Sequence, residues 1–282
     1  MSTHSPWIVT PGWLAANLGS PDVVVLDSSF YLGPMNRDAD AEYRAGHIPG
    51  ALRLDISKVS DPSSPLPHML PTPEAFADTV GLMGISERDT IVCYDGLGLF
   101  ASPRLWWMFR LFGAKNVFVL GGGMPRWVAE GLPVEQDVMT REPTRFVARK
   151  PADIVADVDR VQRVLAEGTA QVVDARPADR FTGQAPEPRP GMRSGHIPGS
   201  LNVPHGTLLK DGGLLPHDQL REKFAAAGVD LEQPIITSCG SGVSAAVVWL
   251  ALDAIGIAPA GLYDGSWSEW GSRDDLPVAT GP

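Results

Sequence analysis

The feature that most constrains the fold of this chain is an internal repeat, with a period close to half of its 282 residues. The strongest match pairs AGHIPGALRLD at residues 45–55 with SGHIPGSLNVP at residues 194–204. Three more pairs follow the same order along the chain: VVVLDSS with QVVDARP, TIVCYDGLGLFAS with PIITSCGSGVSAA, and GGGMPRW with DGSWSEW. Four landmarks in one order indicate a duplicated domain, and each copy is long enough to bury its own core.

Within each copy, short apolar runs alternate with helix-like stretches. Continuous β-branched runs predict buried strands at residues 91–94, 117–120, 172–174 and 235–238. Ala-, Leu- and Trp-rich stretches predict helices at 101–112 and 245–255. This alternation predicts an α/β fold with mainly parallel sheets flanked by helices. We expect an N-terminal domain at 1–139, a polar linker at 140–152 and a C-terminal domain at 153–282.

Composition excludes several classes of function. A formal net charge of -10 leaves no basic surplus for nucleic acid. No apolar run reaches the roughly 18–20 residues that span a bilayer, and the first residues do not resemble a secretory signal. Two cysteines cannot form a disulfide framework or a cysteine-rich metal site. We therefore expect a protein of the reducing cytoplasm that binds no metal, cofactor, nucleic acid or membrane.

The two aligned loops differ where chemistry is expected. The second copy reads CGSGVSA at residues 239–245, and the first reads DGLGLFA at 95–101. Each loop joins a predicted strand to a predicted helix, so its N–H groups and the helix dipole can surround the first side chain. We expect Cys239 to react as a thiolate, with Gly240 and Gly242 permitting the tight path and Gly242 taking a positive φ. Cys93 lies within a predicted strand and is assigned to the core.

These motifs resemble the tandem-domain rhodanese family. AGHIPGA, CGSGVS and YDGSWSEW (residues 263–270) carry the resemblance, which extends from about residue 9 to 270. It implies two rhodanese-like domains, of which the first is catalytically silent because Asp95 replaces the cysteine. In particular, the loop resembles that of the 3-mercaptopyruvate branch. The resemblance places substrate contacts at the residues after Cys239, namely Gly240, Ser241, Gly242, Val243 and Ser244.

Loop charge favours the same sulfur donor. Thiosulfate is a compact dianion, and Gly240 and Ser241 bring no cation to the loop. The carboxylate of 3-mercaptopyruvate lies two carbons from sulfur and can reach a cation farther out. Arg180 and Arg189 resemble the carboxylate-binding arginines of this branch, and arginine binds carboxylates bidentately.

The resemblance also implies a proton relay from the first domain. This branch has been interpreted as using a first-domain His and Asp with the loop serine. By position these are His47, Asp38 and Ser241, with Asp40 as an alternative to Asp38. His47 has a counterpart in His196, and a residue shared by both copies is typical of a structural role.

Covalent sulfur transfer is the predicted chemistry. Cys239 takes the donor sulfur as a persulfide, pyruvate leaves as its enolate, and a thiol or cyanide removes the outer sulfur. The resemblance implies thioredoxin as a partner. A thiosulfate:cyanide sulfurtransferase and a non-enzymatic rhodanese-fold binding module remain alternatives. A cysteine-based phosphatase is disfavoured because Ala245 replaces the phosphate-clamping arginine.

Overall fold

The computed structural model describes residues 5–149 and 153–282. The first copy contains the strands β1 (Ile8–Val9), β2 (Val23–Asp27), β3 (Leu52–Arg53), β4 (Thr90–Tyr94) and β5 (Val117–Leu120). Its helices are α1 (Pro11–Asn17), α2 (Ala39–Ala45), α3 (Pro73–Leu82), α4 (Ser102–Leu111) and α5 (Gly123–Ala129). The strands form a parallel sheet in the order β1-β5-β4-β2-β3.

The second copy repeats this arrangement. Its strands are β6 (Val155–Ala156), β7 (Gln171–Asp174), β8 (Leu201–Asn202), β9 (Leu209–Lys210), β10 (Gly213–Leu214), β11 (Ile235–Ser238) and β12 (Gly261–Tyr263). Its helices are α6 (Val158–Glu167), α7 (Ala178–Phe181), α8 (His217–Ala226), α9 (Ala245–Ala254) and α10 (Ser266–Trp270). The parallel sheet has the order β6-β12-β11-β7-β8, while β9 and β10 form a separate antiparallel hairpin.

The two sheets therefore have the same strand order, and the predicted α/β architecture is confirmed. Strand β4 ends directly before the first aligned loop, and β11 ends directly before the second. Helices α4 and α9 follow these loops. Ligands of parallel sheets bind beyond the carboxyl ends of the strands, and this topology places both loops there.

Helices α4 and α9 pack against each other between the two sheets. The rings of Trp107 on α4 and Trp249 on α9 lie 5.9 Å apart. Buried residues of both copies belong to one continuous hydrophobic core. The site described below is therefore formed by two copies that share a packed interface.

The segment predicted as a linker packs against the first copy as far as the structure describes it. Phe146 is buried and its ring lies 5.6 Å from that of Phe76. The backbone N–H of Arg149 donates to the Phe112 carbonyl at 2.9 Å. Residues 150–152 of the predicted linker lie outside the described residues. Across 5–149 and 153–282, no helix has the length and apolar character needed to cross a membrane.

Candidate active site

A cavity of about 210 Å³ lies between the two copies, with Cys239 in its wall. The first copy contributes only apolar side chains, and the second contributes the thiol, two arginines, a histidine and the loop backbone. The lining residues of the first copy are Phe30, Leu32, Met35, Leu97, Leu99 and Phe100. Those of the second are Pro177, Arg180, Arg189, His205, Leu209, Cys239, Gly240, Ser241, Val243 and Ser244.

The Cys239 loop is held from behind by the segment that precedes and begins α10. The backbone N–H groups of Cys239 and Gly242 both donate to Ser266 Oγ, at 3.2 and 3.1 Å. Ser268 Oγ donates to the Gly240 carbonyl at 2.6 Å. Gly242 has a φ of +76°, as the sequence predicted. These contacts fix the path of the loop around Cys239, whose residue surface is 1% exposed.

The matching loop of the first copy shows what this backbone path can bind. Oδ2 of Asp95 accepts hydrogen bonds from the N–H groups of Phe100, Ala101 and Ser102 at 2.8–3.0 Å, and from Ser102 Oγ at 2.7 Å. Its other oxygen accepts from the Leu97 N–H at 2.9 Å. The loop therefore forms an anion-binding cradle, and a carboxylate fills it.

The second loop keeps this backbone path but has a shorter side chain at its head. Its Ser241, Ser244 and Ala245 match the donor positions of the first loop. In the parts of the chain that the structure describes, the N–H groups of these three residues have no acceptor. They are available to an anionic sulfur on Cys239.

Arg180 is positioned beside this loop by a buried carboxylate. Its guanidinium forms an ion pair with Glu187, which also binds Arg176 Nη1 at 2.7 Å. A Cβ atom built on Gly240 would lie 3.2 Å from Arg180 Nη2, so the guanidinium lies directly against the loop. Any side chain at position 240 would compete with Arg180 for this space.

Arg189 also lines the cavity, but in a different electrostatic setting. Among the residues described, it has no ion-pair partner and no side-chain hydrogen bond. Burial lowers the pKa of Arg189, and the nearby Cys239 opposes this shift. Its guanidinium thus keeps its hydrogen-bond donors open to an anionic ligand.

A first-domain histidine that the sequence analysis did not select contacts the loop. His68 Nδ1 lies 3.0 Å from Ser241 Oγ. Burial, together with the charges of Arg189 and Arg104, lowers the pKa of His68 to about 3. His68 is therefore neutral near pH 7 and can exchange a proton with the serine hydroxyl.

The predicted relay through His47 needs correction. His47 is fully buried, its Nδ1 lies 2.8 Å from the Tyr43 carbonyl oxygen, and its ring stacks on Tyr43. Its Nε2 faces Glu135 at 3.7 Å, and His47 does not line the cavity. These contacts give it a structural role in the first copy.

The same correction applies to the acidic partner of the relay. Asp38 caps α2, accepting from the N–H groups of Asp40 and Ala41 at 3.0 and 2.9 Å. Asp40 instead pairs with Arg53 at 2.9 Å. Neither carboxylate lines the cavity that contains Cys239.

A buried ion pair connects His68 to the Cys239 loop, since Arg104 Nη1 also donates to the Gly242 carbonyl at 3.4 Å. Arg104 Nη2 donates to Asp264 Oδ1 at 2.6 Å and to the His68 carbonyl at 2.8 Å. The other oxygen of Asp264 accepts from the Leu70 N–H at 2.7 Å. Asp264 thus holds the Leu70 backbone and the Arg104 guanidinium in place.

Comparison with known proteins identifies the family. The model of the rhodanese-like domain matches residues 10–130 and again residues 157–273. The chain belongs to the rhodanese family. Its two rhodanese-like domains correspond to the two copies described above, and the predicted family and tandem fold are confirmed.

Three known rhodanese-type proteins illustrate the relationship. The chain is 45% identical to a 3-mercaptopyruvate sulfurtransferase of Escherichia coli, covering 96% of this chain and 97% of that protein. It is 42% identical to a thiosulfate sulfurtransferase of Rattus norvegicus, covering 94% and 92%. The crystal structure of SseA from E. coli superimposes with a TM-score of 0.85 at 42% identity, covering 93% and 98%. The prediction of a sulfurtransferase enzyme is confirmed.

Sequence reasoning selected Cys239, its loop and both arginines, which line one cavity in this rhodanese, but it did not select His68 or Ser266. His68 lies in a Pro-rich segment with no counterpart in the repeat, so the alignment of the copies gave no signal for it. Ser266 lies in the motif YDGSW, and its φ of +50° is unusual for a residue other than glycine. That conformation is visible only in the structure.

Proposed function

We propose that this protein transfers sulfur from 3-mercaptopyruvate through a Cys239 persulfide to a thiol or to cyanide, and that it releases pyruvate. One observation carries the proposal. Arg180 and Arg189 reach the cavity from outside a loop that has no charged side chain of its own. A donor whose carboxylate is separated from its sulfur fits this arrangement.

The first half-reaction begins with the two arginines binding the donor carboxylate. The Cys239 thiolate attacks the donor sulfur, the carbon–sulfur bond breaks, and its electron pair leaves as the enolate of pyruvate. Ser241 lies beside the thiol and donates its hydroxyl proton toward the enolate oxygen, while its Oγ accepts a hydrogen bond from Nδ1–H of the neutral His68. We therefore propose that His68 takes the place assigned to His47 and Asp38 by sequence.

The loop N–H groups stabilise the resulting anionic persulfide. The second half-reaction passes the outer sulfur to an acceptor, for which we propose a thiol protein of the thioredoxin type. We further propose that the domain at 1–139 is catalytically silent, that 140–152 joins it to the catalytic domain at 153–282, and that no cofactor takes part. Two free cysteines suit a reducing cytoplasm.

Thiosulfate is the second candidate donor. The thiosulfate sulfurtransferase of R. norvegicus is 42% identical to this chain, so overall identity alone does not choose the donor. The two arginines can also attract a sulfonate. Its negative charge would lie one bond from the transferred sulfur, where the side chains of the loop itself bring no cation and the two arginines approach from outside the loop.

Steady-state rates with each donor and cyanide as acceptor test the proposal. We expect a higher kcat/KM for 3-mercaptopyruvate, and a fall of roughly 10- to 150-fold in Arg180→Ala and in Arg189→Ala. Lys at each position serves as a matched control that keeps the charge and loses the bidentate geometry. A higher kcat/KM for thiosulfate, or alanine variants that retain their rate, would overturn the donor assignment.

A further inference from the structure

His205 lines the cavity with Cys239, yet none of the roles described above uses it. It follows β8 and begins the short 3₁₀ helix His205–Leu208. Its ring lies 5.4 Å from that of Phe100 in the first-domain wall. Its imidazole therefore lies in the cavity where the sulfur donor and the sulfur acceptor would reach Cys239.

The backbone determines which nitrogen of His205 carries the proton. The His205 N–H and its Nδ1 both approach the Ala175 carbonyl oxygen, at 3.0 and 3.1 Å. A carbonyl oxygen only accepts, so Nδ1 must carry hydrogen. In the neutral ring Nε2 then has the lone pair.

This lone pair is accessible. Within the described residues Nε2 has no hydrogen-bond partner, and it is not among the buried polar atoms without one. Burial, with the nearby charge of Arg180, lowers the pKa of His205. The ring is accordingly neutral near pH 7, and Nε2 is free to accept a hydrogen bond from a ligand in the cavity.

The lining of the cavity leaves few other groups that could take a proton. No carboxylate lines it in the part of the chain that the structure describes, and Arg180 and Arg189 are permanently charged. Apart from Cys239 itself, His205 provides the basic lone pair of that lining. Ser241 and His68 are already engaged with each other at 3.0 Å.

We propose that His205 is a catalytic residue of the second half-reaction, where it accepts the proton of an acceptor thiol. This rests on the proposed function, because it requires the Cys239 persulfide. The thiol S–H donates to Nε2, and the thiol sulfur forms a bond with the outer sulfur. The sulfur–sulfur bond on Cys239 breaks, its electron pair returns to Sγ, and the thiol proton moves to Nε2. The acceptor leaves as a persulfide, and His205 then releases its proton to solvent.

The test separates acceptors that carry a proton from those that do not. Cys239 is first loaded with 3-mercaptopyruvate, and the persulfide is verified by intact mass. Its loss is then followed in single turnovers with 2-mercaptoethanol, or with sulfite at a pH where sulfite is fully deprotonated. Sulfite takes the outer sulfur as thiosulfate and has no proton to give up.

His205→Phe keeps an aromatic ring against Phe100 and removes the lone pair. We expect the rate with 2-mercaptoethanol to fall by about 100-fold or more, with less than about a threefold change for sulfite and for persulfide formation. His205→Gln keeps a hydrogen-bond acceptor without the basicity of imidazole, so its thiol rate should remain low.

Three outcomes would overturn the proposal: an unchanged thiol rate in His205→Phe, an equal fall for thiol and sulfite, or full recovery of the thiol rate in His205→Gln. Recovery in His205→Gln would mean that position 205 only orients the acceptor. Failure of the proposed function has a different signature, since 3-mercaptopyruvate would then leave no persulfide on Cys239 of the unmodified protein.

Discussion

The two aligned loops have the same backbone path and different occupants. In the first domain, five donors converge on the carboxylate of Asp95. In the second, Cys239 stands at the same position, and the matching donors face a side chain too short to reach them all. An anion supplied by the protein satisfies the cradle permanently and contributes to stability. An anion formed on sulfur during turnover would use the same donors for catalysis.

The first loop also contributes to the shape of the cavity. Leu97, Leu99 and Phe100 of the first loop line the cavity. They match Ser241, Val243 and Ser244 of the second loop, which line the same cavity from the other side. The two copies thus form both walls of the cavity, a polar one with the thiol and an apolar one.

The largest expected effect tests whether the chemistry resides in the second loop alone. Cys239→Ser should abolish persulfide formation, because the hydroxyl cannot replace the thiolate as nucleophile and sulfur carrier. Cys93→Ser should retain most activity, since burial within β4 raises the pKa of the Cys93 thiol and keeps it unreactive. Intact mass after exposure to the donor measures both. Comparable losses in the two variants would mean that the nucleophile is misassigned.

The next largest effect concerns the occupant of the first loop. Both oxygens of the Asp95 carboxylate accept hydrogen bonds. In Asp95→Asn one of them is replaced by an NH₂ group, which donates and therefore faces buried N–H donors without an acceptor. We expect the free energy of unfolding in urea to fall by about 2–4 kcal/mol, while kcat/KM per folded molecule changes little. Ser102→Ala removes one donor and should cost about 1 kcal/mol. Equal stability of Asp95→Asn and the unmodified protein would show that the carboxylate is not what holds this loop.

The repeat made the fold and the position of Cys239 predictable, because strand–loop–helix units appear in local sequence. The relay was not predictable from the same information. Both HIPG histidines bond a backbone carbonyl and stack on an aromatic ring, His47 on Tyr43 and His196 on Phe181. Symmetry of this kind marks a structural residue. His68 reaches Ser241 only because the two domains pack together around Arg104, and sequence pattern carries no signal for that approach.

A smaller effect should distinguish the paired glycines of the two loops. Gly98 and Gly242 occupy matching positions with φ of +99° and +76°. A Cβ would lie 2.9 Å from Gly212 Cα in the first case, and 3.1 Å from Arg104 Nη1 in the second. We expect either alanine variant to lose about 1–3 kcal/mol of unfolding free energy.

Only Gly242→Ala should also slow persulfide formation, because Gly242 belongs to the loop that carries Cys239. Gly131→Ala is the matched control, since Gly131 has a φ of +68° and no atom near its absent Cβ. It reports the cost of the left-handed backbone alone. If Gly98→Ala slowed persulfide formation as strongly as Gly242→Ala, the assignment of catalysis to the second loop would fail.

The smallest expected effect concerns His68. This histidine contacts Ser241 of the second loop, and the residue of the first loop that matches Ser241 is Leu97. The pKa of His68 is about 3 in the folded protein, against an ordinary value near 6.5. Below about pH 6.5 the imidazole of His68 is protonated in the unfolded chain but still neutral in the folded protein. The free energy of unfolding therefore falls as the pH is lowered from that value toward 3.

The variant His68→Asn tests this, because asparagine suits the φ of +60° at this position and has no titrating ring. Between pH 7.5 and 5.5, the unmodified protein should therefore lose about 1 kcal/mol more unfolding free energy than His68→Asn. Urea titrations at the two pH values measure this difference, and groups common to both proteins cancel. Parallel losses would mean that His68 titrates in the folded protein as it does in the unfolded chain, so that burial does not keep its imidazole neutral.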